Sequence, residues 1–420
     1  MQKPITIILI GAGNRGCTYA EYVAKYRQDA QIVAVAEPRE CSRNLIAKQH
    51  AIAEQNVCED WEYLANREKF ADAVIIATQD RQHVQPALAF AKQGYHILLE
   101  KPIATSLQEC RDVANAVLAK EIIFAVCHVL RYTQYTQAIK QLVNSGRIGD
   151  VVSIQHLEPV GFWHQAHSYV RGNWRKESES SCMLLAKSCH DIDWLCYIAN
   201  SRCKYVSSFG NLKHFRKKNK PHLASARCHE CSHEPKCPYS AVKIYLKRAD
   251  AGNFDWPVST ITNDLSLSGV QKALENGPYG RCVYDCDNDV VDHQVVNLLF
   301  ENGSSASFVM TGFDRMQDRK TTIFGTKGRL YGDGAIIEHY DFLKDSTKTI
   351  SVNQLDGSII GGHGGGDHEL VKAFIDAVAN NNPTKVLSSA QESLESHEIV
   401  FAAEQARLKN RVIDISDFRR

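Results

Sequence analysis

Ile5-Thr6-Ile7-Ile8-Leu9-Ile10-Gly11-Ala12-Gly13-Asn14-Arg15-Gly16 opens the chain and decides its fold. An apolar strand runs straight into a glycine turn. A second apolar run, Gln31 to Ala36, ends in Glu37. Strand, G-x-G-x-x-G turn, helix, strand and acid, in that order, form a dinucleotide-binding fingerprint. Gly11 permits the tight turn, Gly13 leaves the backbone open to a pyrophosphate, and Gly16 lets the helix pack close to the sheet. Asn14 and Arg15 stand at the helix start, where free N–H groups and the positive dipole end hold phosphates. Glu37 lies where a carboxylate accepts ribose hydroxyls and repels a 2′-phosphate. The expected cofactor is therefore NAD rather than NADP, a preference that Arg39 weakens.

At 420 residues, two domains are expected. A hydrophobic share of 44% and a charged share of 23% describe an ordinary globular chain. A net charge of +1 gives no general attraction to nucleic acid or anionic membrane. Neither a signal peptide nor a membrane-spanning run is expected. The 14 cysteines mostly sit singly in apolar runs, as Cys127, Cys182 and Cys196 do. That suits reduced thiols in a cytoplasmic protein better than a disulfide framework.

The first half alternates strands and helices. Strands are expected at 71–78, 96–100 and 122–128, and helices at 83–94 and 106–120, the latter with a serine cap. Continuous apolar strands mean a parallel sheet covered on both faces. The fold class is α/β: a doubly wound Rossmann domain over 1–126, then a second α/β domain over 127–420 with a large open, mainly antiparallel sheet. In that second part, helices are expected at 135–145, 183–199 and 387–408. Strands are expected at 151–158, 291–300, 304–311, 321–324 and 329–331. Residues 211–288, rich in Lys, His, Pro, Gly and Cys, read as an insertion too polar to build its own core.

With Glu100-Lys101-Pro102 following the fingerprint, the chain resembles the glucose–fructose oxidoreductase and inositol dehydrogenase (Gfo/Idh/MocA) family. Thr78 with His83, Arg131, Gly146-Arg147-Ile148-Gly149, His190-Asp191-Ile192-Asp193 and Ile323-Phe324-Gly325-Thr326-Lys327-Gly328 extend the resemblance. It implies hydride transfer between a nicotinamide and a carbinol carbon of a sugar or cyclitol. It also implies a homo-oligomer, dimer or tetramer, built through the second sheet. Cofactor contacts are expected from Thr78, Gln79, His83, Glu100, Lys101 and Arg131.

Lys101 sits at the carboxyl end of a parallel strand, where ligands bind in such sheets. Its amine can take a hydroxyl proton and steady developing charge. His190, on a predicted helix, is the second acid–base candidate. Family members resembling inositol dehydrogenase carry an aspartate four residues before this histidine; here that position is Ala186, followed by Lys187. Lys187 could replace the acid, bind an anionic substituent or pair with Asp191, which suggests an acidic or modified sugar.

The segment 161–174 is dense in aromatic and polar residues. His164, Tyr169, Arg171 and Trp174 are expected at the substrate, Tyr169 with a catalytic part, alongside Asp191. The glycine-rich run 361–367 adds His363 as a substrate-loop residue. Cys228, Cys231 and Cys237 form C-x2-C-x5-C; with Cys282 or Cys286 as fourth ligand, ahead of His229 and His233, they suggest a structural zinc site. Two other functions remain open: a redox-neutral glycosidase or lyase that oxidises transiently and returns the hydride, and a non-catalytic nucleotide sensor.

Overall fold

The computed structural model describes residues 3–352 and 364–419. The first sheet has six parallel strands: β1 (Ile5–Ile10), β2 (Ala30–Ala36), β3 (Val57–Cys58), β4 (Ala73–Ile76), β5 (His96–Leu99) and β6 (Phe124–Val126). Their order is β3-β2-β1-β4-β5-β6. The order reverses between β1 and β4, and a crevice for a ligand opens at that switch point. Ile7, Ile8 and Leu9 are fully buried, as are all four residues of β4. Burial on both faces is why these strands read as unbroken apolar runs. The helix Leu107–Leu118 starts at Ser106, whose side chain accepts from the Glu109 N–H as expected.

The second sheet has nine strands: β7 (Val151–Pro159), β8 (Cys203–Asn211), β9 (His293–Phe300), β10 (Ser305–Thr311), β11 (Lys320–Gly325), β12 (Gly328–Gly332), β13 (Ile336–Asp341), β14 (Ser346–Ser351) and β15 (Ile413–Asp414). Neighbouring pairs are antiparallel except β7 and β10, which run parallel from Ser305↔Ser153 to Thr311↔Pro159. One face carries the helices Met183–Ala199 and Ala390–Lys409 over a core that includes Ile154, Val206, Val296, Phe308 and Ile323. The other face is open. Its register sets Phe209, Val295, Val309 and Leu157 side by side across four strands.

The helix Gly366–Ala379 returns to the first sheet. Its Leu370, Val371 and Phe374 join the cluster that holds Ile7, Leu9 and Tyr19. The segment between β8 and β9 is a lobe, and it corrects the expectation of a coreless insertion. Phe215, Tyr245, Val258, Val270, Leu274 and Tyr284 bury one another together with Ala166 and Val170. Lysines and arginines lower the lobe's average hydropathy, but its aromatic residues supply large buried surfaces.

Candidate functional site

The glycine turn shows which glycines serve the chain and which serve a ligand. Gly11 has φ +87°, and a Cβ there would stand 2.6 Å from the Ala77 carbonyl. A Cβ on Gly16 would stand 2.0 Å from the Gly11 carbonyl. At Gly13 the nearest heavy atom to a Cβ is the Arg39 guanidinium, 3.6 Å away. The fold does not need glycine at 13; a pyrophosphate over the helix start does, so the residues present fit a dinucleotide. Glu37 is buried and accepts the Ala12 N–H at 2.7 Å and the Arg39 side chain at 2.8 and 3.0 Å. Burial alone would raise its pKa, but the hydrogen bonds from Arg39 and Ala12 outweigh burial and hold the carboxyl below its ordinary value.

Beyond the glycines, Arg15 is engaged by protein. Its Nε donates to Glu100 at 2.6 Å, and its guanidinium also reaches Tyr19 and Asp367. Glu100 is buried; burial opposes its charge, yet Arg15 and Tyr19 hold its pKa below the ordinary value. Glu100 also accepts the Lys101 N–H at 3.0 Å. The Lys101–Pro102 peptide is cis. His83 lies beneath this turn, its ring nitrogens 2.6 Å from the Pro102 carbonyl and 3.2 Å from the Thr78 carbonyl. From the carboxyl-terminal helix, His397 Nε2 accepts the Ile103 N–H at 3.0 Å. Lys101 thus stands on a braced turn at the mouth of the crevice. Thr78 and Gln79 follow β4 at the same mouth, Gln79 exposed to solvent.

The second half supplies the opposite wall. Lys101 Nζ donates to the Ala186 carbonyl. Ala186 belongs to the helix Met183–Ala199, which is buried nearly all round and carries Lys187, Ser188, His190, Asp191 and Asp193. Buried polar groups need partners, and here they form a network. Lys187 Nζ lies 3.1 Å from Glu158 at the end of β7. Arg319, just before β11, reaches Glu158 at 2.9 Å and Asp191 at 2.6 Å. Arg319 also donates to His190 Nε2 at 2.7 Å. A guanidinium only donates, so Nε2 accepts and the neutral ring carries its proton on Nδ1. Burial drives the His190 pKa well below its ordinary value despite Asp191. Burial also lowers the Lys187 pKa, against the pull of Glu158.

The remaining wall comes from the helix Gln165–Arg171 and the residues around it. His164 stands edge-on to Trp256, ring centres 4.9 Å apart. Tyr169 is buried between His164 and Trp174, and burial raises its pKa well above the ordinary phenol value. Trp174 Nε1 donates to Asp80 at 3.1 Å, joining this wall to the loop after β4.

Four expected contacts turn elsewhere. Arg171 is two residues beyond Tyr169, so it points away from it on the same helix, into the lobe; its Nε donates to the Arg281 carbonyl at 2.7 Å. Arg131 is bidentate to Asp193 at 2.6 and 2.8 Å and serves as a buried brace. Asp191 is held by Arg319 and, at 3.3 Å, by His156. His83 braces the turn, as above. His363 lies outside the described residues. Among the described residues, no group of three or more His, Cys, Asp or Glu is arranged to hold a metal ion, and all fourteen cysteines are free thiols. Glu158, Arg319 and His397 were not singled out from sequence. Glu158 left a faint signal, an acid at an inward-facing strand position; the other two left none.

Parallel sheet, glycine cradle and a strand-end lysine facing a second α/β unit define a class, the nicotinamide-dependent oxidoreductases with a separate substrate half. Residues 5–128 match the model of the oxidoreductase family's NAD-binding Rossmann fold, and residues 140–415 that of its C-terminal α/β domain. The chain belongs to the Gfo/Idh/MocA oxidoreductase family. YteT of Bacillus subtilis (strain 168), an oxidoreductase by name, is 25% identical over 72% of this chain and 71% of its own length. The 2,7-anhydro-N-acetylneuraminate hydratase of Mediterraneibacter gnavus is 28% identical over 50% of this chain, and the match spans 54% of that enzyme's length. A levoglucosan dehydrogenase solved with NADH and levoglucosan shares the fold, with a TM-score of 0.72 and 18% identity over 98% of this chain and 99% of that one. No helix among the described residues is long and apolar enough to cross a membrane.

Proposed function

We propose that this enzyme moves a hydride between NAD and a carbinol carbon of a sugar or cyclitol. The observation that carries the proposal is Lys101: its amine leaves a braced turn at the dinucleotide crevice and meets the helix that bears Lys187 and His190. The bound nicotinamide supplies a hydride acceptor or donor. Lys101 exchanges the proton of the reacting hydroxyl and steadies the charge that develops on its oxygen. His190, neutral and held by Arg319, orients that hydroxyl. Tyr169, kept protonated by burial, donates a hydrogen bond rather than acting as a base. Because Glu158 already matches the Lys187 charge, a neutral polyol suits the site as well as an acidic derivative does.

NAD is favoured over NADP because Glu37 stays ionised where a 2′-phosphate would stand. The row Phe209, Val295, Val309 and Leu157 on the open sheet face supports a dimer or tetramer through that face. A Val309→Asp variant is expected to run as a monomer in light scattering, and an unchanged mass would remove the proposal.

The hydratase relative favours a second reading, in which the hydride is returned and no NADH accumulates. A panel of sugars, anhydrosugars and cyclitols, followed at the nicotinamide absorbance band with parallel product analysis, separates the two. Net NADH growing with turnover supports the dehydrogenase; product without NADH supports the redox-neutral reaction. Turnover of neither kind across the panel, with NAD bound, would favour a sensor.

A further inference from the structure

The lobe between β8 and β9 poses a charge problem that the oxidoreductase site does not explain. Arg171 is almost wholly buried, at 1% exposure. Its Nε and Nη2 donate to the carbonyls of Arg281 and Tyr239 at 2.7 and 2.8 Å, but its Nη1 has no hydrogen-bond partner. No carboxylate pairs with it among the described residues. A buried cation without a counter-charge is costly. Arg171 lines one cavity with Cys228, Cys231, Cys237 and Cys282, and its Nη2 stands 3.5 Å from the Cys228 sulfur. His233 and Glu234 line the same cavity, but the Glu234 carboxylate accepts from the Ser240 hydroxyl at 2.6 Å and forms no ion pair with Arg171. The Ser225 N–H points at the Cys231 sulfur, 3.4 Å away, as backbone amides do around thiolates in metal knuckles. Cys286 is absent from the lining; it bonds instead to the Cys282 carbonyl.

We infer that Cys228, Cys231, Cys237 and Cys282 bind one zinc ion as thiolates, and that Arg171 is the charge partner of that centre. Four thiolates around a divalent ion carry two net negative charges, and the guanidinium offsets one of them. Neutral thiols, or disulfides, would leave Arg171 uncompensated. The donor set points to the occupant: three of the four thiols lie in a C-x2-C-x5-C knuckle, which suits a tetrahedral zinc ion, and the cavity of about 20 Å³ has room for one atom-sized guest. The thiols surround this space without being drawn to a single point, so binding turns the side chains inward. It forms four zinc–sulfur bonds and releases four protons to solvent, with no change of oxidation state.

The arrangement has a mechanical meaning. Arg171 ends the helix that carries Tyr169, so the ion fastens the lobe to the substrate wall and leaves the dinucleotide half alone. Purified full-length protein is expected to contain close to one zinc per chain. Cobalt exchanged for zinc should give the visible bands and sulfur-to-cobalt charge transfer of a tetrahedral thiolate site. Cys228→Ser and Cys282→Ser are expected to lose the metal, while Cys286→Ser keeps it. Arg171→Gln should weaken zinc, in competition with a chromophoric chelator, by tenfold or more, and Arg171→Lys by less. NADH affinity should be unchanged throughout. Metal-free protein with freely titrating thiols, disulfides among these cysteines, iron with a broad visible band, or retention of metal in Cys282→Ser would each overturn the inference. Should the variants fail to fold, the zinc content and cobalt spectrum of the parent protein still decide it. Because neither readout involves turnover, failure here is distinct from failure of the proposed reaction.

Discussion

Replacing Gly13 by alanine separates ligand space from packing space in the glycine turn. The backbone at residue 13, φ −76° and ψ −168°, is one that any residue adopts. The new methyl would meet only the Arg39 guanidinium at 3.6 Å, an ordinary contact with a half-exposed side chain. Folding stability should therefore change by no more than about 1 kcal/mol. With dinucleotide present, the same methyl stands where the pyrophosphate approaches the backbone. Overpacking of that kind costs roughly 1–3 kcal/mol, which is a roughly 5- to 150-fold loss of affinity. Gly16→Ala is the contrast, because its Cβ would lie 2.0 Å from a backbone carbonyl that cannot move aside. That variant should be strongly destabilised before any ligand is added. NADH fluorescence titration and thermal unfolding of the two variants read affinity and stability separately. A Gly13→Ala protein that binds NADH within twofold of the parent would refute the placement of the cofactor. So would one that melts as early as Gly16→Ala.

With NADH saturating, Lys101→Met should slow hydride transfer by about 10²–10⁴-fold, the usual share of a proton-transferring group; a single-turnover rate near the parent's would remove Lys101 from the chemistry. Arg131→Met leaves Asp193 buried without its bidentate partner, an expected loss of roughly 3–5 kcal/mol in urea unfolding; a loss under 1 kcal/mol would show the pair to be dispensable. Acid should unfold the protein through its buried imidazoles, since burial lowers the pKa of both His167 and His397 to about 3. The unfolded chain takes up these protons near pH 6.5 and the folded one does not, so their stability is whole above pH 6.5 and drains as pH falls toward 3. The slope approaches ~1.4 kcal/mol per pH unit for each group. His397→Phe should flatten it, and constant stability between pH 7 and 5 would contradict the assignment.

The elements legible in the sequence are those whose pattern is local. Ile5–Ile10 with its turn, the Ser106 cap and the helix Met183–Ala199 all follow from neighbouring residues. The strand β14 escaped because its residues are exposed on both sides and carry no alternation. The strand β8 escaped because Ser208 and Gly210 interrupt its apolar side. The site was legible where one residue stands at a topologically fixed place, as Lys101 does at a strand end. It was not where partners come from distant segments. Arg319 and Glu158 are separated by more than 150 positions, and only the fold makes them neighbours. Arg171 was misjudged for a related reason: the sequence marked its segment but not which side of a two-residue step faces the cleft.

The lobe leaves the sheet and re-enters it at adjacent rungs of one ladder, where Asn211 faces His293 across β8 and β9. A segment spliced in at such a point is a cartridge. It can lengthen, shrink or be traded for another without shifting the register of any strand beneath it, because the two stubs are already clasped. Divergence in what such enzymes admit to the cleft can then accumulate in the cartridge, while the machinery that handles the hydride stays as it is.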